Sequence, residues 1–466
     1  MNNPMAVGSP CSLMPESSAI HPAATARPAP SKASWLAVQG RLPLAFMGLG
    51  LAWLVAASAL LVLQPGLLGL PHVLPSVIAL THAWMLGFFV TVACGAVYQL
   101  APVALGTTLW SEHLGWAHFY LHAFGVPGMV YAFWHWRLSW LGIFGSAVAL
   151  GIVIFTVNTW ITVRRSARRN TVAWSILLAT GWLTLTVLAG LLLVANRLWG
   201  FIPLNPFSLL RAHAHLGLVG FFSTLLQGVG FQLIPMFTLG EVRDWRLAKT
   251  GLWLTQLGLV ALVPALLWQW EWPAFCAALA ISAGLIFSGI GLQRALTTRK
   301  KRRLDPGLVA FLRGGAVLCV AALVGTALTW PGVMRGMMVG GFNAMTYALL
   351  GILGGLLPCV AGMMCKIVPF LTWMRAYGPR VGRGPTPAAH ALTHPRIERS
   401  GLALQHLAAM PLLVGAWTLN GLWLRLGVWL LAAGVILFAV DMLGVLKHLW
   451  AKPAAPASAP KLEPIS

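Results

Sequence analysis

His82 and His215 head two copies of one sequence. His82 opens a stretch that continues through Gly87, Phe88, Phe89, Thr91, Gly95, Gln99, Leu100 and Pro102. His215 opens another through Gly220, Phe221, Phe222, Thr224, Gly228, Gln232, Leu233 and Pro235. Nine of 21 positions are identical without a gap, and the copies lie 133 residues apart. A third, eroded copy places Gly354, Gly362 and Pro369 a further 134 residues on, with Leu349 in the histidine slot and Lys366 in the glutamine slot. Both histidines fall inside long apolar runs, where an ionisable side chain is costly and marks function by default. Neutral imidazole ligates haem iron and copper; the alternative chemistry is a hydrogen bond between helices.

Other residues offer rival chemistry. His213 is about 200° around a helix from His215, so the two face different neighbours. His118 and His122, four residues apart, share one helix face and form a possible second metal site or a structural hydrogen-bonding pair. His72 and His135 lie at span ends, where they line an entry site or are simply solvated. His390, His394 and His448 lack ligand-like companions. Met334, Met337 and Met338 offer thioethers, which suit Cu(I) or plain packing. The six cysteines show no C-x-x-C spacing and read as small buried hydrophobes. No phosphate-binding glycine loop, paired intramembrane carboxylates or nucleophile–base motif is visible. Of nine acidic residues, only Asp441 looks embedded.

These residues must be positioned by membrane helices. The chain is 58% hydrophobic and 9% charged, with mean hydropathy +0.80, the composition of a helical membrane protein. Runs of about 20 apolar residues, enough to span a bilayer, occur near 43–63, 76–103, 115–134, 139–162, 171–195, 209–236, 251–268, 273–293, 309–329, 339–370, 402–424 and 426–447. The expected fold is therefore all-α: twelve transmembrane helices in three pseudo-equivalent four-helix units, at about 41–165, 170–295 and 308–450. The repeat comes round once in every four spans. Pro- and Ala-rich tails at 1–40 and 451–466 read as disordered. The net charge of +22 is not a nucleic-acid signal, because the cations sit in short loops between spans. Counted along twelve spans with both termini cytoplasmic, 26 of the 31 Lys and Arg fall inside and 5 outside, the bias of a bacterial inner-membrane protein. His82 and His215 then sit in the outer half of the bilayer.

Three four-helix units with inward histidines on helices 2 and 6 resemble the catalytic subunit I of the haem–copper oxidases, including nitric-oxide reductases. The stretch Lys366 to Trp373 is also similar to a divergent group of such proteins. The resemblance implies that His82 stands where the family holds a low-spin haem and His215 where it holds a second metal. It implies haem or copper as cofactor, a respiratory or denitrification complex as partner and, if the chain is an enzyme, an oxidoreductase. The sequence departs from the family. Span 251–268 lacks the expected histidine pair, and span 339–370 has no histidine, offering only Asn343, Met345 and Tyr347 at the right depth. The expectation is a haem- or copper-binding redox or metal-handling protein that does not itself reduce oxygen or nitric oxide. The alternative is a twelve-span transporter or accessory subunit without metal.

Overall fold

The computed structural model describes residues 40–168, 170–333, 342–382 and 385–450. The two tails and Met334, Met337 and Met338 lie outside the described residues, as does the side chain of Asn343. The described residues form the helices α1 (Arg41–Leu63), α2 (Pro75–Leu105), α3 (Glu112–Trp134), α4 (Leu138–Arg164), α5 (Thr171–Trp199) and α6 (Pro206–Thr238). They continue with α7 (Arg246–Leu267), α8 (Glu271–Thr297), α9 (Pro306–Leu328), α10 (Ala344–Ala376), α11 (Pro395–Thr418) and α12 (Gly421–Leu449). Eleven of these are long and apolar enough to cross a membrane. The remaining one, α3, has 23 residues, but Glu112, His113, His118 and His122 lower its apolarity.

Local chemistry sets the helix ends. Ser111, Asn170, Asn205 and Asn420 each cap a helix by accepting a backbone N–H with the side chain, which satisfies a donor the helix leaves open. Gly106 and Gly200 close α2 and α5 in the left-handed conformation, where glycine carries no Cβ penalty. Leu419 takes the same conformation at the end of α11. That helix therefore ends at Thr418, earlier than its apolar run to residue 424 suggests, because Asn420 starts α12.

The repeat-bearing helices form the centre. Their most apolar windows are 72% (α2), 78% (α6) and 78% (α10) buried, against 22–56% for the other apolar helices. Repeat-equivalent Phe89 and Phe222 meet edge to face at 6.1 Å. Glycines bring neighbours close: a Cβ on Gly362 of α10 would collide with the Gly307 carbonyl of α9, and one on Gly87 with the Trp53 ring of α1. Such backbone approach is how small residues pack membrane helices.

All three central helices share one irregularity. A π-helical stretch begins directly after each repeat slot: Ala83–Val90 after His82, Leu216–Ser223 after His215 and Leu350–Leu356 after Leu349. π-turns inside α-helices are uncommon and concentrate at functional sites. Thr91 Oγ1 donates to the Leu86 carbonyl at 2.8 Å, and its repeat partner Thr224 donates to Val219 at 3.3 Å. In the third copy that position is Pro358, a buried residue with no N–H of its own.

Candidate metal site

The π-stretches place His82 and His215 alike. Both have the same backbone conformation, φ −72° and −73° with ψ −30°. Each ring donates Nδ1–H to the carbonyl four residues earlier, His82 to Ile78 and His215 to Arg211, both at 2.8 Å. That bond fixes the tautomer, so Nε2 keeps its lone pair and points away from its own helix. A ring nitrogen held by a backbone carbonyl while the other stays basic is the arrangement found around metal-bound histidines.

The ring of His82 faces His213 of α6, with centroids 6.5 Å apart and planes 21° apart, and Phe133 of α3 stacks on it at 4.4 Å. His213 Nδ1 is buried without a hydrogen-bond partner. His215 instead faces Tyr347 of α10, at 6.2 Å and 20°. The two pairs follow one rule: a repeat histidine meets the residue two positions before the slot in the next copy. The 200° turn between His213 and His215 thus sends one toward α2 and the other toward α10.

His118 and His122 are fully buried on α3 and have structural tasks. His122 Nε2 lies 2.9 Å from Thr91 Oγ1 and 3.1 Å from the Leu86 carbonyl, which the π-stretch leaves exposed inside α2. His118 Nδ1 meets the Tyr98 hydroxyl at 3.0 Å. The rings stand nearly perpendicular, and the second nitrogen of each has no hydrogen-bond partner. At the repeat-equivalent Thr224, Gln256 of α7 takes the corresponding task, donating to Thr224 Oγ1 at 2.9 Å and accepting from Trp182 at 2.6 Å.

The remaining sequence-flagged residues scatter. His72 packs on Phe207 and His135 on Tyr131. His448 hydrogen-bonds Tyr377, and the backbone N–H of His394 donates to Asp441. His390 caps no site beyond its own turn. The five described cysteines are free thiols. Lys366, in the glutamine slot, ion-pairs with Asp305 at 2.6 Å, and Lys301 reaches the same carboxylate at 3.0 Å. Partial burial alone would raise the Asp305 pKa, but the hydrogen bonds and charges of Lys366 and Lys301 together hold it below its ordinary value.

In fold the chain is similar to a haem–copper terminal oxidase whose dimer was solved by cryo-electron microscopy, with TM-score 0.62 and 10% identity over 92% of this chain and 86% of that one. No protein-family model matches the sequence, and no curated protein matches it. The likeness establishes a divergent subunit I-like fold. The metal set that the resemblance implies does not fit these residues. Leu349 fills the α10 slot, α7 carries no histidine, and among the described residues no three His, Cys, Asp or Glu side chains are grouped to hold an ion. The His82 and His213 ring centroids are 6.5 Å apart, against about 6 Å for two imidazoles that share one ion through bonds near 2 Å.

Proposed function

We propose that this chain is a twelve-span bacterial inner-membrane protein that binds a single Cu(I) between His82 and His213 and handles copper for a respiratory or denitrification complex. In this reading α3 is the twelfth span, the three four-helix units are the structural repeats, and both termini are cytoplasmic. The facing of His82 and His213 across the α2–α6 boundary carries the reading. Two neutral imidazoles suit copper. A monovalent ion in a low-dielectric interior has a smaller desolvation cost than a dication, and Cu(I) tolerates two ligands where zinc takes four. His82 is oriented by Ile78 and by the Phe133 face. His213 supplies the second imidazole. His215 and Tyr347 form a second facing pair without a second strong ligand, so gas reduction at a haem–metal centre is not part of the proposal.

A metal-free accessory subunit or transporter is the second reading, favoured by Leu349 and by the structural use of His118 and His122. Copper content separates the two. Protein purified from copper-supplied cells is expected to hold one copper per chain, and to lose it in His82→Ala and in His213→Ala but not in His122→Ala. Wild-type protein without copper, or with a haem absorption band instead, overturns the copper reading.

A further inference from the structure

The end of the bundle carrying most of the loop cations has a cavity of about 540 Å³ at the foot of α6. Its walls divide by chemistry. Lys300, Gln232 and Asn170 are polar, whereas Met236, Leu239 and Trp245 are apolar or aromatic. Met236 and Leu239 are 44% and 66% exposed, so the apolar wall opens outward.

The lysine is held in place. The backbone N–H groups of Lys300 and Lys301 both donate to the Thr238 carbonyl at the end of α6. Thr298 Oγ1 bridges the Glu241 backbone, accepting at 2.9 Å and donating at 3.0 Å. The loop after α8 is thereby pinned to the loop after α6. Lys300 belongs to an exposed run of five cations, Arg299 to Arg303. Of the nearby acids, Glu241 pairs with Arg243, Asp305 with Lys301 and Lys366, and Asp244 accepts the Arg246 backbone N–H. Among the described residues no carboxylate pairs with Lys300. The cavity thus couples a fixed, unneutralised cation to an outward-facing apolar wall and a tryptophan, the residue type that anchors at headgroup depth.

We infer that this cavity binds one anionic phospholipid, with its phosphodiester on Lys300 and its acyl chains along Met236 and Leu239. Free phosphate shares the headgroup chemistry but has no use for the apolar wall. The inference rests on the membrane reading of the fold and is independent of the copper site.

The test uses full-length protein in phosphatidylcholine vesicles carrying spin-labelled phosphatidylglycerol, and reads the motionally restricted fraction. Lys300→Gln is expected to weaken relative association about five-fold, the effect of one basic residue near a membrane surface. Met236→Trp, which fills the cavity, should lower the restricted fraction similarly, and Arg302→Gln, at a residue that does not line the cavity, should change it less than Lys300→Gln does. Thermal unfolding in pure phosphatidylcholine checks that each variant is folded; if Lys300→Gln is not, Met236→Trp decides alone. Equal losses from Lys300→Gln and Arg302→Gln would show a diffuse basic surface and overturn the site. Displacement of the labelled lipid by inorganic phosphate would reassign the cavity to a soluble anion and overturn the lipid assignment.

Discussion

Two histidine pairs in this molecule differ in how they are made. His118 and His122 sit one turn apart on α3, the spacing that most invites a metal reading in a sequence. Their inward nitrogens meet Tyr98, Thr91 and the Leu86 carbonyl, and the second of those tasks steadies the π-stretch of α2. His82 and His213 are far apart in sequence and on different helices, yet their rings face each other with centroids 6.5 Å apart. The contrast teaches that in a membrane bundle spacing along one helix reports a shared face, while which rings meet across helices depends on how the helices pack.

The largest expected effect that would sharpen this contrast is on metal affinity. His213→Ala should lower copper affinity by more than about 100-fold, beyond the range seen when only an outer-shell partner is lost, with little change in stability. A loss of less than tenfold would break the distinction between the pairs. Next in size is stability. His122→Ala leaves the buried Leu86 carbonyl to Thr91 alone and should cost about 1–3 kcal/mol in denaturation experiments, with copper content unchanged. His122→Gln should recover most of that loss, because a glutamine already does the equivalent work at Gln256; failure to recover would mean that the imidazole has a further task.

The smallest effect concerns Asp305 at the start of α9, at the opposite end of the bundle from His82 and His213. Its pKa is lowered in the folded protein. Its contribution is therefore fully present above the ordinary carboxylate range and is lost as pH falls through the lowered folded value. Asp305→Asn should cost about 1 kcal/mol at neutral pH and nothing at strongly acidic pH. Thermal unfolding against pH for both proteins checks this, and a difference that persists in acid would contradict it.

Much of the architecture was legible in the sequence. The repeat located the central helices, and hydropathy located the others to within several residues. The end of α11 was misread because an apolar run continues through Leu419 and Asn420, where a left-handed turn and a side-chain cap interrupt it. The π-stretches were not legible, since no residue preference distinguishes them from α-helix; only their result, an open carbonyl at Leu86, shows in the partners Thr91 and His122. The site was half legible. His82, His213 and His215 were all identifiable, but which rings face each other was not. Each repeat histidine meets the position two before the slot in the next copy, as His82–His213 and His215–Tyr347 both show. An offset comparison between copies, rather than a same-slot comparison, would have found the pair.

X-ray absorption at the copper edge on the Cu(I)-loaded protein tests the central claim most directly. The account predicts two imidazole nitrogens at about 2 Å, no sulfur scatterer, and loss of one nitrogen shell in His82→Ala. A sulfur ligand, or an unchanged spectrum in His82→Ala, would contradict it.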